Sequence, residues 1–411
     1  MKLALIRRQF SATGGAELYL QRLLAALGER GHELHLFTEA WTGPPAGVTV
    51  HPLGITASRA RRPIVFADAV QRALAGDRFD CVFSLERTWG QDVYRAGDGV
   101  HRVWLERRRQ HAPWWRRPWI GLGVFHRNVM RLEARAFDPR HTRHVIVNSE
   151  MVRREILAHF NFPPARIHLV RNGVDVARFQ GGDRKAARAV FGVKDDEYLL
   201  LFVGSGWERK GLKYALQAVR SVQVVTLLHG FSAGVRQFVS ESKTVLAGAL
   251  GPETSKETKP ETKLHLPQPP PSRVKLLVVG KGRKPVNRPA NVFFAGSLAN
   301  PENAYAAADL FLFLPIYEPS ANVVFEALAA GLPVITSAQN GAAELIEEGV
   351  NGTVVDDPSD TAAVVEALGW WWSKRFYVPP VKVPELSLER NVSETLAVLE
   401  TAAADRGAYL D

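Results

Sequence analysis

Glu318 and Glu326, eight residues apart in the stretch Glu318-Pro319-Ser320-Ala321-Asn322-Val323-Val324-Phe325-Glu326, are the acids best spaced to grip a polyhydroxylated anion. Leu310 to Leu314 before them reads as a buried strand, and the small-residue run Val323 to Ala330 as a helix. Ser320 is the expected N-cap, so the amides just after it lack helical partners and form an anion site suited to a diphosphate. Helical side chains lean toward the N-terminus, which lets Glu326 reach a ribose diol. Glu318, on the loop, could accept hydrogen bonds from a sugar beyond the phosphates. One segment thus offers contacts for the three parts of a nucleotide-sugar. A crossover with two incidental acids has the same spacing, so the neighbouring segments must decide.

Trp207-Glu208-Arg209-Lys210-Gly211 puts two adjacent cations at the carboxyl end of a strand. Arg209 offers a fork for paired phosphate oxygens and Lys210 a point charge. Against the charge that builds on a departing diphosphate, such donors contribute about 3–4 kcal/mol each. Taken singly, they read more readily as surface charges. Gly14-Gly15 follows the first strand and opens a helix, where backbone amides can approach a phosphate, although the third glycine of a dinucleotide fingerprint is missing. Gly280-Lys281-Gly282 and Phe294-Ala295-Gly296-Ser297-Leu298 close two more strands, and Lys281 and Leu298 would floor a flat nucleobase.

These segments need elements to hold them. The apolar runs Leu3 to Ile6, Leu34 to Phe37, Cys81 to Ser84 and Val145 to Val147 alternate with helix-spaced stretches such as Ala16 to Glu29. That pattern implies a parallel sheet covered on both faces. It restarts at Leu199 to Val203 and continues through Val274 to Val279, Val292 to Phe294, Leu310 to Leu314 and Val334 to Thr336. The expected fold is α/β, two Rossmann-like doubly wound domains facing a central cleft. Residues 1–175 would form the first domain, 176–385 the second, and 386–411 a C-terminal helix that could cross back to the first. Residues 223–271 end in a polar, repetitive tract with Pro269-Pro270-Pro271 and read as a disordered insertion. The triple tryptophan Trp370-Trp371-Trp372 reads as packing, or as a membrane contact.

At 411 residues the chain suffices for two cores. Its 46% hydrophobic and 23% charged content is that of a soluble globular protein. One cysteine, Cys81, excludes an internal disulfide and a cysteine-rich metal site. No apolar run reaches the ~18 residues that cross a bilayer, and no signal peptide is visible, so a cytoplasmic protein is expected. A net charge of +10 calls for acidic partners.

In their order, Gly14-Gly15, Arg209-Lys210-Gly211, Val279-Gly280-Lys281-Gly282 and the two-glutamate helix ending Ala329-Ala330-Gly331-Leu332-Pro333-Val334 resemble retaining GT-B nucleotide-sugar glycosyltransferases. The likeness is to lipopolysaccharide core α-1,3-glucosyltransferases and relatives in the glycosyl transferases group 1 family. It covers nearly the whole chain except the insertion and part of the C-terminal tail. The resemblance implies that Arg209 and Lys210 hold the donor diphosphate, Glu326 the ribose and Glu318 the hexose. Backbone from Ala321 through Asn322 to Val323 would contact phosphate and sugar. Asp98 matches an aspartate near the acceptor side, though a loop acid capping a neighbour would look the same. The catalytic set is then Arg209, Lys210, Glu318 and Asp98, with a UDP-sugar as co-substrate, no cofactor and no metal.

Residues 100–135 interleave arginine with tryptophan: Arg107, Arg108, Arg109, Trp114, Trp115, Arg116, Arg117 and Trp119. Nucleic acid, chance and a membrane surface all fit such a run. The membrane is favoured, with tryptophans at headgroup depth and arginines on anionic lipid at about 1 kcal/mol each. The expectation is therefore a metal-independent hexosyltransferase peripheral on the inner face of the cytoplasmic membrane, moving glucose from UDP-glucose to a lipid-linked glycan, without nucleic acid. Mannosyl or N-acetylglucosaminyl transfer is the near alternative, and a UDP-sugar epimerase the distant one.

Overall fold

Short apolar runs separated by amphipathic helices bury each strand on both faces, and this favours parallel pairing through helical crossovers. The computed structural model describes residues 1–9, 15–41, 46–223, 274–374 and 386–407. In the first lobe β1 (Lys2–Ile6), β2 (Glu33–Thr38), β3 (Val48–Pro52), β4 (Cys81–Ser84), β5 (Gln91–Arg95), β6 (Thr142–Val147) and β7 (Ile167–Leu169) form one sheet, ordered β3-β2-β1-β4-β5-β6-β7. All its pairs are parallel. Around it lie α1 (Gly15–Glu29), α2 (Arg62–Leu74), α3 (His101–Gln110), α4 (Val124–Ala136) and α5 (Glu150–His159). Strand order reverses between β1 and β4, so the ligand crevice of such a sheet opens just past Ile6 and Ser84.

The second lobe repeats the plan. Strands β8 (Tyr198–Val203), β9 (Val274–Val279), β10 (Val292–Gly296), β11 (Leu310–Phe313), β12 (Val334–Ser337) and β13 (Gly352–Val355) form a parallel sheet ordered β10-β9-β8-β11-β12-β13. Its helices are α6 (Val176–Gln180), α7 (Arg184–Val190), α8 (residues 212–223), α9 (Glu302–Ala307), α10 (Asn322–Ala329) and α11 (Thr361–Ser373). Here the order reverses between β8 and β11. Trp371 and Trp372 are buried in this lobe's core, with Trp371 Nε1 donating to Thr353 Oγ1 at 3.0 Å.

The last helix, α12 (Leu388–Gly407), belongs to the first lobe. Its Val392, Leu396, Leu399 and Ala402 share a core with Leu3, Leu5, Leu24 and Phe83. The two passages of the chain between lobes touch: Val174 N donates to Leu386 O at 2.8 Å, and Asn391 Nδ2 donates to Arg171 O.

Strands β3, β5, β7 and β13 are not foreseen by the hydrophobic pattern. The instructive one is β5, entirely buried yet carrying Gln91, Asp92 and Arg95. It is stable there because each polar side chain is bonded sideways. Gln91 Nε2 donates to Thr142 Oγ1 at 2.5 Å, Asp92 Oδ2 accepts from Val82 N at 2.8 Å, and Arg95 donates to Asn172 Oδ1 at 2.6 Å. The insertion expected at 223–271 lies, from residue 224 onward, outside the described residues.

Candidate active site

Beyond β8 the chain turns through Gly204 to Gly211, and beyond β11 through Pro315 to Ala321. Gly211 joins the two turns. Its φ is +72°, and a Cβ there would lie 1.7 Å from Leu314 O. Ile316 N donates to Arg209 O at 2.9 Å across the same junction. Arg209 is thereby brought against Glu318, Nη2 to Oε1 3.0 Å, while its Nε donates to Tyr317 O at 3.0 Å. Lys210 lies against Gly204, with Nζ 5.9 Å from the Phe313 ring centroid, and forms no ion pair with a described residue.

Ser320 does not cap α10. The cap residue is Ala321, whose amide donates to Asn340 Oδ1 at 3.3 Å, an oxygen that also takes Ala342 N at 3.1 Å. That bond holds the cap residue's own amide, and no described side chain caps the first turn as the serine was expected to do. Among the described residues, buried Ser320 Oγ has no hydrogen-bond partner, and neither has Glu318 Oε2. The amides of Asn322 and Val323 donate to no described residue either. Buried polar groups are nearly always paired, so polar groups converging on a helix N-terminus suit a hydroxyl-bearing anion.

One turn further, Glu326 accepts from Tyr305 Oη at 2.5 Å, and burial pushes its carboxyl up. Asn322 Oδ1 accepts from Asn172 Nδ2 at 2.6 Å, so that side chain is tied to the first lobe. Lys281 is exposed, with its amide on Ser205 Oγ at 2.9 Å, and Leu298 packs half-buried against the second core. Gly15 opens α1, whereas Gly14 falls outside the described residues.

The opposite wall comes from the first lobe. Asp98 follows β5 and shares a cavity of about 290 Å³ with Arg8, Glu86, Arg87, His101 and Arg209. Burial alone would raise its carboxyl, but Arg87, Arg209, Arg7 and Arg8 outweigh that and hold it below the usual carboxylate range. Burial, with Arg87 and His126, drives His101 down to about 3, so its ring is neutral. Tyr317 spans the lobes, its Oη accepting from Val100 N at 2.8 Å and donating to Glu155 Oε2 at 2.7 Å. Glu344 likewise accepts from Met151 N at 2.7 Å, at the start of α5. Tyr317, Asn340, Arg87 and Glu86 were not singled out from sequence; adjacency to Glu318 was the one available signal, and it pointed only to Tyr317.

The arginine–tryptophan stretch divides in two. Arg108 turns inward to Glu208 of the second lobe at 3.0 Å, and Arg109 donates to Ile120 O at 2.8 Å. Arg107 bonds Gln110 Oε1 at 3.2 Å, and Arg117 donates to Ala112 O at 3.0 Å. Trp114, Trp115 and Trp119 are 80%, 54% and 74% exposed on one 3-10 turn, with Arg116 over Trp115. No described helix is long and apolar enough to cross a membrane. Among the described residues, no group of three or more His, Cys, Asp or Glu could hold a metal ion.

Residues 13–178 match the Glycosyltransferase Family 4 model and residues 260–373 the Glycosyl transferases group 1 model. Over the whole molecule the chain superposes on the crystal structure of WaaG, a glycosyltransferase involved in lipopolysaccharide biosynthesis. The TM-score is 0.68 at 21% identity, covering 98% of both chains. The chain has the GT-B fold, and its two lobes carry matches to glycosyltransferase family models. It is 25% identical over 363 residues to the lipopolysaccharide glucosyltransferase WaaG of Escherichia coli (strain K12), covering 86% of this chain and 85% of that one. It is 27% identical over 387 residues to the D-inositol 3-phosphate glycosyltransferase of Mycobacterium sp. (strain KMS), covering 86% and 77%. Anabaena Alr3699/HepE in complex with UDP-glucose has the same fold, with a TM-score of 0.60 at 16% identity, covering 97% and 100%. In this chain Arg209, bonded to Glu318 of one matched region, shares a cavity with Asp98 of the other.

Proposed function

We propose that this glycosyltransferase moves glucose from UDP-glucose, with retention of configuration, to a lipid-linked glycan such as the lipopolysaccharide core. The observation that carries this reading is the unsatisfied start of α10, where Glu318 Oε2, Ser320 Oγ and two backbone amides await a partner beside Arg209 and Lys210. The amides and Lys210 would take the diphosphate, Glu326 the ribose, and Glu318 the hexose hydroxyls. The glucose C1–phosphate oxygen bond breaks while the acceptor oxygen bonds C1 from the same face, and the departing phosphate oxygen takes the acceptor's proton. Arg209 and Lys210 supply the charge for that departure, so the reading needs no divalent ion. Asp98 stands on the acceptor side. The glucose assignment leans on the WaaG likeness and on the UDP-glucose held by the HepE neighbour.

Incubating the protein with UDP-glucose, UDP-N-acetylglucosamine or GDP-mannose and scoring thermal shift tests the donor. UDP-glucose should raise the melting temperature most, and a larger rise with another donor would replace the sugar named here.

The exposed Trp114, Trp115 and Trp119, with Arg116 and Arg117, support a peripheral site on the cytoplasmic face of the membrane. Sedimentation with anionic phosphatidylglycerol vesicles should fall at least about tenfold in the Trp114→Ser/Trp119→Ser variant. Undiminished sedimentation would remove the membrane assignment. Arg108 is held by Glu208, so its neutralisation should change vesicle binding little.

A further inference from the structure

The cavity that Asp98 shares with Arg209 has a second half of opposite character. Beyond its polar end it is walled by Pro63 and Phe66 of α2, Trp104 of α3, and Phe125, Val129 and Leu132 of α4. Residues 125, 129 and 132 fall at i, i+4 and i+7, so one face of α4 supplies them all. Val129 and Leu132 are 8% and 1% exposed, yet neither belongs to any of the four packed cores. The apolar surface open to the cavity is that of the half-buried Pro63, Trp104 and Phe125, with Val129 and Leu132 beneath them. The strip continues outward along the chain through Val124, Leu122 and Trp119, which are 45%, 59% and 74% exposed.

The polar end is not a trap for an anion. Arg87 donates to Gly99 O at 2.7 Å and pairs with Glu133 at 3.3 Å, Arg209 is held by Glu318, and Arg7 by Glu86 at 3.1 Å. That leaves the Asp98 carboxylate and the Arg8 guanidinium, opposite in sign, to meet a ligand. Such a pair suits neutral hydroxyl groups. A glycan extending on all sides of the accepting sugar would press hydroxyls against Pro63, Trp104 and Phe125 without partners, at a desolvation cost.

We propose that this cavity is the acceptor subsite and takes a glycolipid whose alkyl or prenyl chain begins at the very sugar that receives the hexose. The sugar's hydroxyls lie at Asp98 and Arg8, and the chain runs over Pro63, Trp104 and Phe125 toward the Trp119–Val124 strip. The proposal rests on the glycosyl-transfer reading and narrows its acceptor from an extended core oligosaccharide to a lipid bearing its first sugar.

Octyl β-D-glucopyranoside below its micellar concentration and methyl β-D-glucopyranoside are titrated calorimetrically into the full-length protein, with and without saturating UDP. The octyl glycoside should bind at least about tenfold more tightly, since burying two methylenes suffices for that factor. Val129→Asp should bring the two affinities together, and the near-isosteric Val129→Thr should narrow the ratio, both with UDP affinity unchanged. Equal affinities in the wild type, or no binding of either glycoside, overturn the proposal. So does an octyl preference that survives Val129→Asp and disappears in Trp119→Ser, which would place the chain on the outer strip alone. Failure of the protein to bind UDP contradicts the glycosyl-transfer reading instead, and the titrations without UDP read the cavity in either case.

Discussion

Lys210→Met should lower the turnover of UDP-glucose by about 10²–10³, the loss typical of one donor aimed at developing charge. The melting temperature should barely move. Lys210 has no ion pair among the described residues, and its aliphatic chain against Gly204 is kept by methionine. Arg209 offers no such clean test, because its removal strands a half-buried Glu318 and strips Asp98 of one of its compensating charges. Release of UDP at saturating donor, measured beside a thermal melt, separates chemistry from folding. Turnover within about threefold of wild type would deny Lys210 its role at the leaving group.

Gly211→Ala should be the most damaging small substitution in the second lobe. At φ +72° the added methyl meets Leu314 O at 1.7 Å, and that carbonyl ends a central strand, so neither partner can yield without moving β11. A cost of about 3 kcal/mol or more follows, lowering the melting temperature by about 6–12 °C in a lobe of this size. Gly31→Ala is the control. It has a similar φ of +77° but nothing within 4 Å of the added carbon, so only the backbone cost of about 1–2 kcal/mol remains. Equal losses at the two positions would show that the contact with Leu314 relaxes freely.

Much of the fold could be read from hydrophobic periodicity alone. Central strands such as Cys81–Ser84 and Val274–Val279 are mostly apolar runs between turns, and their ends coincide with the expected ones. The pattern fails where burial is achieved by polar side chains, as in β5, and at the short edge strand β7. The neighbourhood of Arg209 and Glu318 was legible because both lie on turns beyond central strands, where the topology requires a crevice. Ser320 misled because capping depends on geometry: the cap falls one residue later, at Ala321, whose amide is held by Asn340 nineteen residues on. Tyr317 and Arg87 stayed hidden because their partners are distant in the chain. Arg108 and Arg109 look like free cations in sequence only because Glu208 and Ile120 O cannot be foreseen as neighbours.

The paired passages at Val174 and Leu386 bear on how substrates could enter and leave. A single tether would let one lobe twist or slide over the other, but here two strands of chain are laced by Val174 N to Leu386 O and Asn391 to Arg171 O. Shear would break that lacing, whereas bending leaves it whole. Such lacing favours a swing like that of a book about its spine, which would have to break the bonds of Tyr317 and Glu344 to the first lobe.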